Sequence, residues 1–150
     1  MDPGKPRPPR DPSGSRSPAL ILYIDGSVEG NPGPGAIGVV VEREDGSLVE
    51  AWGEAIGHVT NNQAEYRALL AGLRKARQLG ARAVTVRSDS QLLVRQLLGE
   101  YRVKDAKLKP LYEEARRLAG RLERFAIEHV LREANRAADR LANRARLGKL

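Results

Sequence analysis

Four acidic residues stand where a folded chain rarely places charge without a reason. Asp25 closes the apolar run that starts at Leu20, and Asp89 closes the run that starts at Ala83. Glu65 falls in what reads as the first turn of a helix, and Asp139 lies between Ala138 and the Leu141-Ala142 pair of another helical pattern. A carboxylate at the end of a buried strand is costly unless it is paired or bound to a cation. Several carboxylates brought together repel one another, and a divalent ion relieves that repulsion. Ligation by oxygen alone suits hard ions such as Mg²⁺ or Mn²⁺. Two such ions about 4 Å apart can activate a water and stabilise a leaving oxygen in phosphoryl transfer. Three of the acids also have a plainer reading: Glu65 as a favourable charge at a helix start, Asp25 and Asp89 as strand-end caps. Their joint arrangement favours the ion.

The elements that must position these acids follow from pattern. Leu20 to Asp25 predicts a buried strand. Ala36 to Glu42 and Leu48 to Gly57 predict a hairpin around Glu44-Asp45-Gly46. Thr60 and Gln63 have capping-box spacing. A helix to about Leu79 should follow, with Leu69, Leu70, Leu73 and Ala76 inward and Gly80 as its stop. Ala83 to Ser88 predicts a strand and Ser90 to Leu98 a short helix. Leu108, Leu111, Ala115, Leu118 and Leu122 form one helical stripe. Phe125 to Leu131 predicts the last strand and Asn135 to Arg146 the last helix. The order is βββαβααβα. Strand–helix–strand crossovers impose parallel pairing in part of the sheet, and the opening meander is antiparallel. The fold class is therefore α/β, a mixed five-stranded sheet with helices on its faces. Adjacent parallel strands end at one edge, so Asp25 and Asp89 can sit side by side.

Composition narrows the classes. The 150 residues make one ordinary domain, and the absence of cysteine excludes disulfides and cysteine zinc sites. It also fits a reducing, cytoplasmic setting. No apolar run approaches the roughly 20 residues of a membrane span, so no membrane partner is expected. Six of the nine prolines lie in residues 1–18, read as a disordered tail ahead of a domain over 19–150. The net charge of +7 is uneven: residues 1–18 carry +2, residues 19–100 carry −2 and residues 101–150 carry +7. A basic third beside a carboxylate cluster suggests a polyanionic partner, although an arginine-rich solvated surface has the same charge.

Four local motifs are more specific. Tyr23-Ile-Asp-Gly-Ser-Val-Glu-Gly-Asn-Pro-Gly-Pro-Gly-Ala, Thr60-Asn-Asn-Gln-Ala-Glu-Tyr, Ser88-Asp-Ser-Gln and Ala137-Ala-Asp-Arg-Leu-Ala occur in this order. They resemble the four signatures of the type 1 ribonuclease H family, over roughly residues 19–147. The resemblance implies a ribonuclease H-like fold and an endoribonuclease that cuts the RNA strand of an RNA–DNA hybrid. It leaves open whether double-stranded RNA is also cut. The rival from another class is a non-catalytic nucleic-acid-binding module on this fold, which loss of an acid would favour; none is lost. By this resemblance Asp25, Glu65, Asp89 and Asp139 are the catalytic, metal-binding set. Asp25 would bridge two Mg²⁺ ions, for which Mn²⁺ can substitute. Asp139 would help hold the ion at the attacking water, and Glu65 and Asp89 the ion facing the leaving 3′ oxygen. The products would carry a 5′-phosphate and a 3′-hydroxyl, and the protein would act as a monomer.

Asn31, Asn61, Asn62 and Gln91 match family positions that contact the hybrid, and Thr60 one that touches a DNA-strand phosphate. An amide both donates and accepts, as the 2′-hydroxyl of RNA does. Turn and cap roles for Asn31, Asn61 and Asn62 are compatible with binding. Gly33 and Gly35 read as devices of the turn into the second strand. The chain departs from the longer family members in two places. Gly99 to Lys107 is short and replaces a basic, Trp-containing insertion, and Trp52, the only tryptophan, lies in a predicted strand. The glycine-rich loop with a histidine before the last Asp is also missing. His129 sits inside a predicted strand and reads as structural. Glu133, at the end of that strand, is the candidate auxiliary group for metal release, against a plainer role pairing with Arg132 or Arg136. Arg102, Lys104, Lys107 and Lys109 are the candidates to replace the missing insertion.

Overall fold

The computed structural model describes residues 18–149; residues 1–17, which hold nearly all of the expected tail, and Leu150 lie outside the described residues. The strands are β1 (Ala19–Val28), β2 (Gly33–Arg43), β3 (Leu48–Val59), β4 (Ala83–Ser88) and β5 (Arg124–His129). The helices are α1 (Asn61–Gln78), α2 (Gln91–Leu97), α3 (Lys109–Gly120) and α4 (Arg136–Arg146), the last preceded by a 3₁₀ turn over Arg132–Asn135. The sheet order is β3-β2-β1-β4-β5. β1 is antiparallel to β2 and β2 to β3, whereas β1, β4 and β5 run parallel. The mixed five-stranded sheet with helices on its faces is thus the predicted one.

Alternation along the strands assigns the faces. Leu20, Leu22 and Ile24 of β1 and Val39 and Val41 of β2 join Leu69, Leu70 and Leu73 of α1 in one buried cluster. Leu93, Val94 and Leu97 of α2 and Ala115 and Leu118 of α3 complete it. Burying these side chains contributes about 1.5–3 kcal/mol each for the larger ones. The opposite face is covered by α4, whose buried residues are the small Ala138, Ala142 and Ala145. Trp52 is half-buried against the core cluster, with Lys75 Nζ 5.6 Å from its ring centroid. Trp52 thus lies within β3, in the strand expected of it.

Element ends account for the differences from expectation. β1 and β2 each extend beyond the predicted run, because pairing continues from Leu20↔Arg43 to Val28↔Gly35. β5 ends at His129, not Leu131, where Val130 N–H turns to the Ser88 carbonyl. His129 is therefore an exposed strand end and not an interior residue. Glu133 consequently lies in the 3₁₀ turn, beyond the strand. α4 starts at Arg136 because Asn135 turns out of the helix and buries its side chain. Pro18, one residue before the expected boundary at Ala19, is already tied to the sheet end, since its carbonyl accepts from Arg82 N–H at 3.0 Å.

Candidate active site

The strand register sets the first pair of acids. Ile24 of β1 lies beside Ser88 of β4, so Asp25 and Asp89 follow at the same edge. Asp25 is also the cross-strand partner of Gly38, which places its side chain on the α4 face. Asp89 leaves β4 directly before Ser90, whose hydroxyl caps α2 by accepting from Leu93 N–H.

Helix α1 brings the third acid. Thr60 and Gln63 form the full capping box, each side chain accepting from the other's backbone N–H. This starts the helix at Asn61, so Glu65 is its fifth residue. It falls just past the first turn, which contains no acid, and not within it as the pattern suggests. Glu65 reaches the sheet because Gly26 follows Asp25. A Cβ at Gly26 would lie 2.7 Å from Ala64 Cβ and 2.9 Å from Glu65 N, so only glycine lets α1 approach so closely. The Gly26 N–H then donates to Glu65 Oε1 at 3.1 Å.

Asp139 arrives from the other face. A Cβ on Gly38 would sit 2.0 Å from the Ala138 carbonyl oxygen, and one on its neighbour Gly53 would sit 2.3 Å from that of Leu141. These two glycines make the trough in which α4 lies. Asn135 fixes the helix start: its Nδ2 donates to the Ile24 carbonyl at 2.8 Å, next to Asp25. Farther along, Ser27 Oγ donates to Asn143 Oδ1 at 2.6 Å and accepts from Arg146 Nε at 2.8 Å.

One carboxylate oxygen each from Asp25, Glu65 and Asp89 lies within 4.8 Å of the others. Asp139 is outside that trio, yet near enough to help raise the Asp25 carboxyl. Burial, and then the Glu65 charge, pushes the Asp25 carboxyl up to about 9. Burial, and then the Asp89 charge, pushes Glu65 up to about 8; the Gly26 N–H and the Arg132 charge oppose that rise. Crowded, dehydrated carboxylates of this kind fit a divalent cation by the chemistry of their donors.

The other expected residues divide. Asn31 Oδ1 accepts from Asn61 N–H at 3.0 Å, so the β1–β2 turn and the start of α1 are joined and their amides gather at the acidic edge. Asn31, Asn61, Asn62 and Gln91 are exposed. Gln91 opens α2, two residues past Asp89. The Thr60 hydroxyl is engaged as the helix cap. Glu133 shares a groove of about 470 Å³ with Asp139 and is exposed. Sequence reasoning misses Gly26, Gly38, Gly53 and Asn135. A glycine next to the first acid, and a facing pair of glycines in the hairpin strands, are the signals that point to the first three.

Residues 23–145 match the protein family described as reverse transcriptase-like. The chain is 44% identical over 130 residues to a ribonuclease HI of Halobacterium salinarum, covering 87% of this chain and 65% of that protein. The crystal structure of RNase H1 from that archaeon superposes with a TM-score of 0.84 at 42% identity, over 88% of this chain and 99% of the solved one. An N-terminal ribonuclease H domain from Mycobacterium tuberculosis has a TM-score of 0.85 at 42% identity, covering 89% and 96%. The mycobacterial bifunctional protein is 46% identical over 84% of this chain, which spans only 35% of its length. LC11-RNase H1 from compost, solved in complex with an RNA/DNA hybrid, has a TM-score of 0.81 at 37% identity, covering 86% and 97%. By sequence and by fold alike, the chain belongs to the type 1 ribonuclease H family.

Proposed function

We propose that this chain is an endoribonuclease that cuts the RNA strand of RNA–DNA hybrids, leaving 5′-phosphate and 3′-hydroxyl ends. The observation that carries the reading is the convergence of Asp25, Glu65 and Asp89 within 4.8 Å at one sheet edge, with Asp139 adjoining. The hybrid held by the related compost enzyme supports the choice of substrate.

Asp25, Glu65 and Asp89 would hold a divalent cation, and Asp25 with Asp139 a second; Mg²⁺ is the expected ion and Mn²⁺ its substitute. Bound there, such ions supply Lewis acidity toward phosphoryl oxygens and an acidified water. The chain itself aligns the substrate. Asn31, Asn61, Asn62 and Gln91 present exposed amides that can donate to and accept from the 2′-hydroxyls of an RNA strand. Thr60 holds the start of α1 in register and would approach a DNA-strand phosphate. No side-chain nucleophile is required. Glu133, on the groove shared with Asp139, would act as the auxiliary group that competes for an ion during product release.

Labelled RNA–DNA, RNA–RNA and DNA–DNA duplexes, each incubated with Mg²⁺, Mn²⁺ or chelator, test the reading. Metal-dependent cutting of the hybrid's RNA strand is expected. Binding to the hybrid without cutting under every metal condition would favour the non-catalytic module instead.

A further inference from the structure

Arg132, Arg136, Arg140 and Arg144 recur at every fourth residue through the 3₁₀ turn and α4. Residues at that spacing share a helix face. All four are exposed, and all four line the groove of about 470 Å³ that contains Asp139. The opposing charges in that groove are Glu133 and Asp139 itself, and Asn143 is its neutral polar lining. Among the described residues, none of the four guanidiniums has a salt bridge to a carboxylate. Arg146, on the inner side, is by contrast tied to Ser27 and Glu29.

Arg144, in the last turn of α4, suits the helix dipole, but the rest of the row is unfavourable within the fold. Like charges at i,i+4 destabilise a helix by about 0.2–0.5 kcal/mol per pair. A cation at the first residue of α4 also meets the unfavourable end of the helix dipole. Packing does not explain the row, since the buried side of α4 is alanine. A polyanion lying along it does. From Arg136 to Arg144 the helix rises about 12 Å, enough to follow about three phosphates of one strand along a duplex axis. The row starts at the acidic edge, since the Arg132 charge acts on Glu65.

We propose that Arg132, Arg136, Arg140 and Arg144 form a phosphate-binding ladder that guides the nucleic-acid strand leading out of the carboxylate site. The ladder deepens the nuclease reading and rests on it for the identity of the duplex. It binds backbone and reads no sequence.

The test is an Arg140→Ala/Arg144→Ala variant of the full chain, assayed on a labelled RNA–DNA hybrid with Mg²⁺ from 0.05 to 0.2 M salt (roughly the span over which phosphate binding is most visible). KM at the higher salt should rise about tenfold, and the slope of log KM against log salt should fall by about two, near one for each arginine removed. kcat should hold. Arg77→Ala/Arg121→Ala removes the same charge at the opposite end of the sheet and should keep the parent slope. Arg140→Lys/Arg144→Lys should recover it. Alanine favours helix and removes repulsion, which offsets the dipole interaction lost at Arg144, so the thermal midpoint of the ladder variant should stay near the parent's. A parent-like slope in the ladder variant overturns the proposal, as does equal flattening in the control. If the parent leaves the hybrid uncut, the nuclease reading fails separately. Anisotropy of the same hybrid in chelator then decides the ladder by the same difference in slope.

Discussion

Burial and acidic neighbours raise the Asp25 and Glu65 carboxyls well above the ordinary carboxylate range, and this determines how each acid responds to change. Asp89→Asn keeps the side-chain volume and removes the charge that acts on Glu65. Cleavage should drop to background while circular dichroism is unchanged. The midpoint of the metal-free protein should stay level or rise, because one source of repulsion is gone. Substantial Mg²⁺-dependent activity in this variant would end the four-carboxylate assignment. The same shifts set a pH dependence. Both folded values, about 9 and about 8, lie above the ordinary carboxylate values of 3.8 and 4.5. Between those limits the folded state binds more protons than the unfolded chain, so stability falls as pH rises. In chelator, the thermal midpoint should therefore decline by roughly 5 °C or more from pH 5 to pH 9. Mg²⁺ should shrink the decline, since it binds the ionised acids. A flat profile in chelator would mean that the acids are not buried together. At Glu133 the informative contrast is kinetic. Glu133→Ala should slow multiple turnover and spare a single-turnover cut; equal rates in both regimes would leave Glu133 an ion-pairing residue.

The elements place the acids through close approaches that side-chain pattern does not announce. Gly38→Ala would set a Cβ 2.0 Å from the Ala138 carbonyl, backbone that cannot swing aside. α4 must then lift, carrying Asp139 away from Asp25. A loss of about 1–3 kcal/mol in denaturant stability is expected, with weakened metal binding by calorimetry. Gly46→Ala, in the open hairpin turn, should cost stability through its positive φ and leave metal binding intact. Equal metal affinity in the Gly38 variant would contradict the trough. These examples mark where the sequence is legible. The bounds of β4 and the inward residues of α1 follow from local apolar pattern, and so does the meeting of Asp25 with Asp89, because parallel strands share an edge. Gly38 and Gly53 are opaque, since their reason lies in α4, about a hundred residues away in chain. Asn135 reads as a helix start, yet it is buried to 1% exposure and bonds to the Ile24 carbonyl. Pattern sets Glu65 in the first turn of α1, whereas the Thr60 cap starts the helix at Asn61 and leaves Glu65 just past that turn.

At the scale of the molecule, the acidic edge and the basic surface must divide the work of holding a polyanion. Two basic regions are distinct in the chain: the α4 row and the connection between α2 and α3. In that connection Arg102, Lys104 and Lys107 are exposed, and Lys109 opens α3. Its course is set from within, since Tyr66 Oη donates to Gln96 Oε1 at 2.6 Å and Gln96 Nε2 donates to the Arg102 carbonyl at 3.4 Å. The anchor leaves the four cations free to face solvent or substrate. Removing residues 1–17, which carry a net +2, should by comparison leave kcat near the parent value and weaken binding only at low salt. Arg102→Gln/Lys104→Gln/Lys107→Gln/Lys109→Gln decides whether the connection stands in for the missing insertion. If it does, KM should rise and the salt slope should fall by up to about four, near one for each phosphate that the variant no longer neutralises. The anchored backbone should keep stability within about 1 kcal/mol of the parent, as for exposed charges elsewhere. Combined with the α4 variant, the effects on log KM should add, because the two sets share no partner. An unchanged KM and slope would instead make these four cations a solvated surface and leave the α4 row as the main basic surface for the duplex.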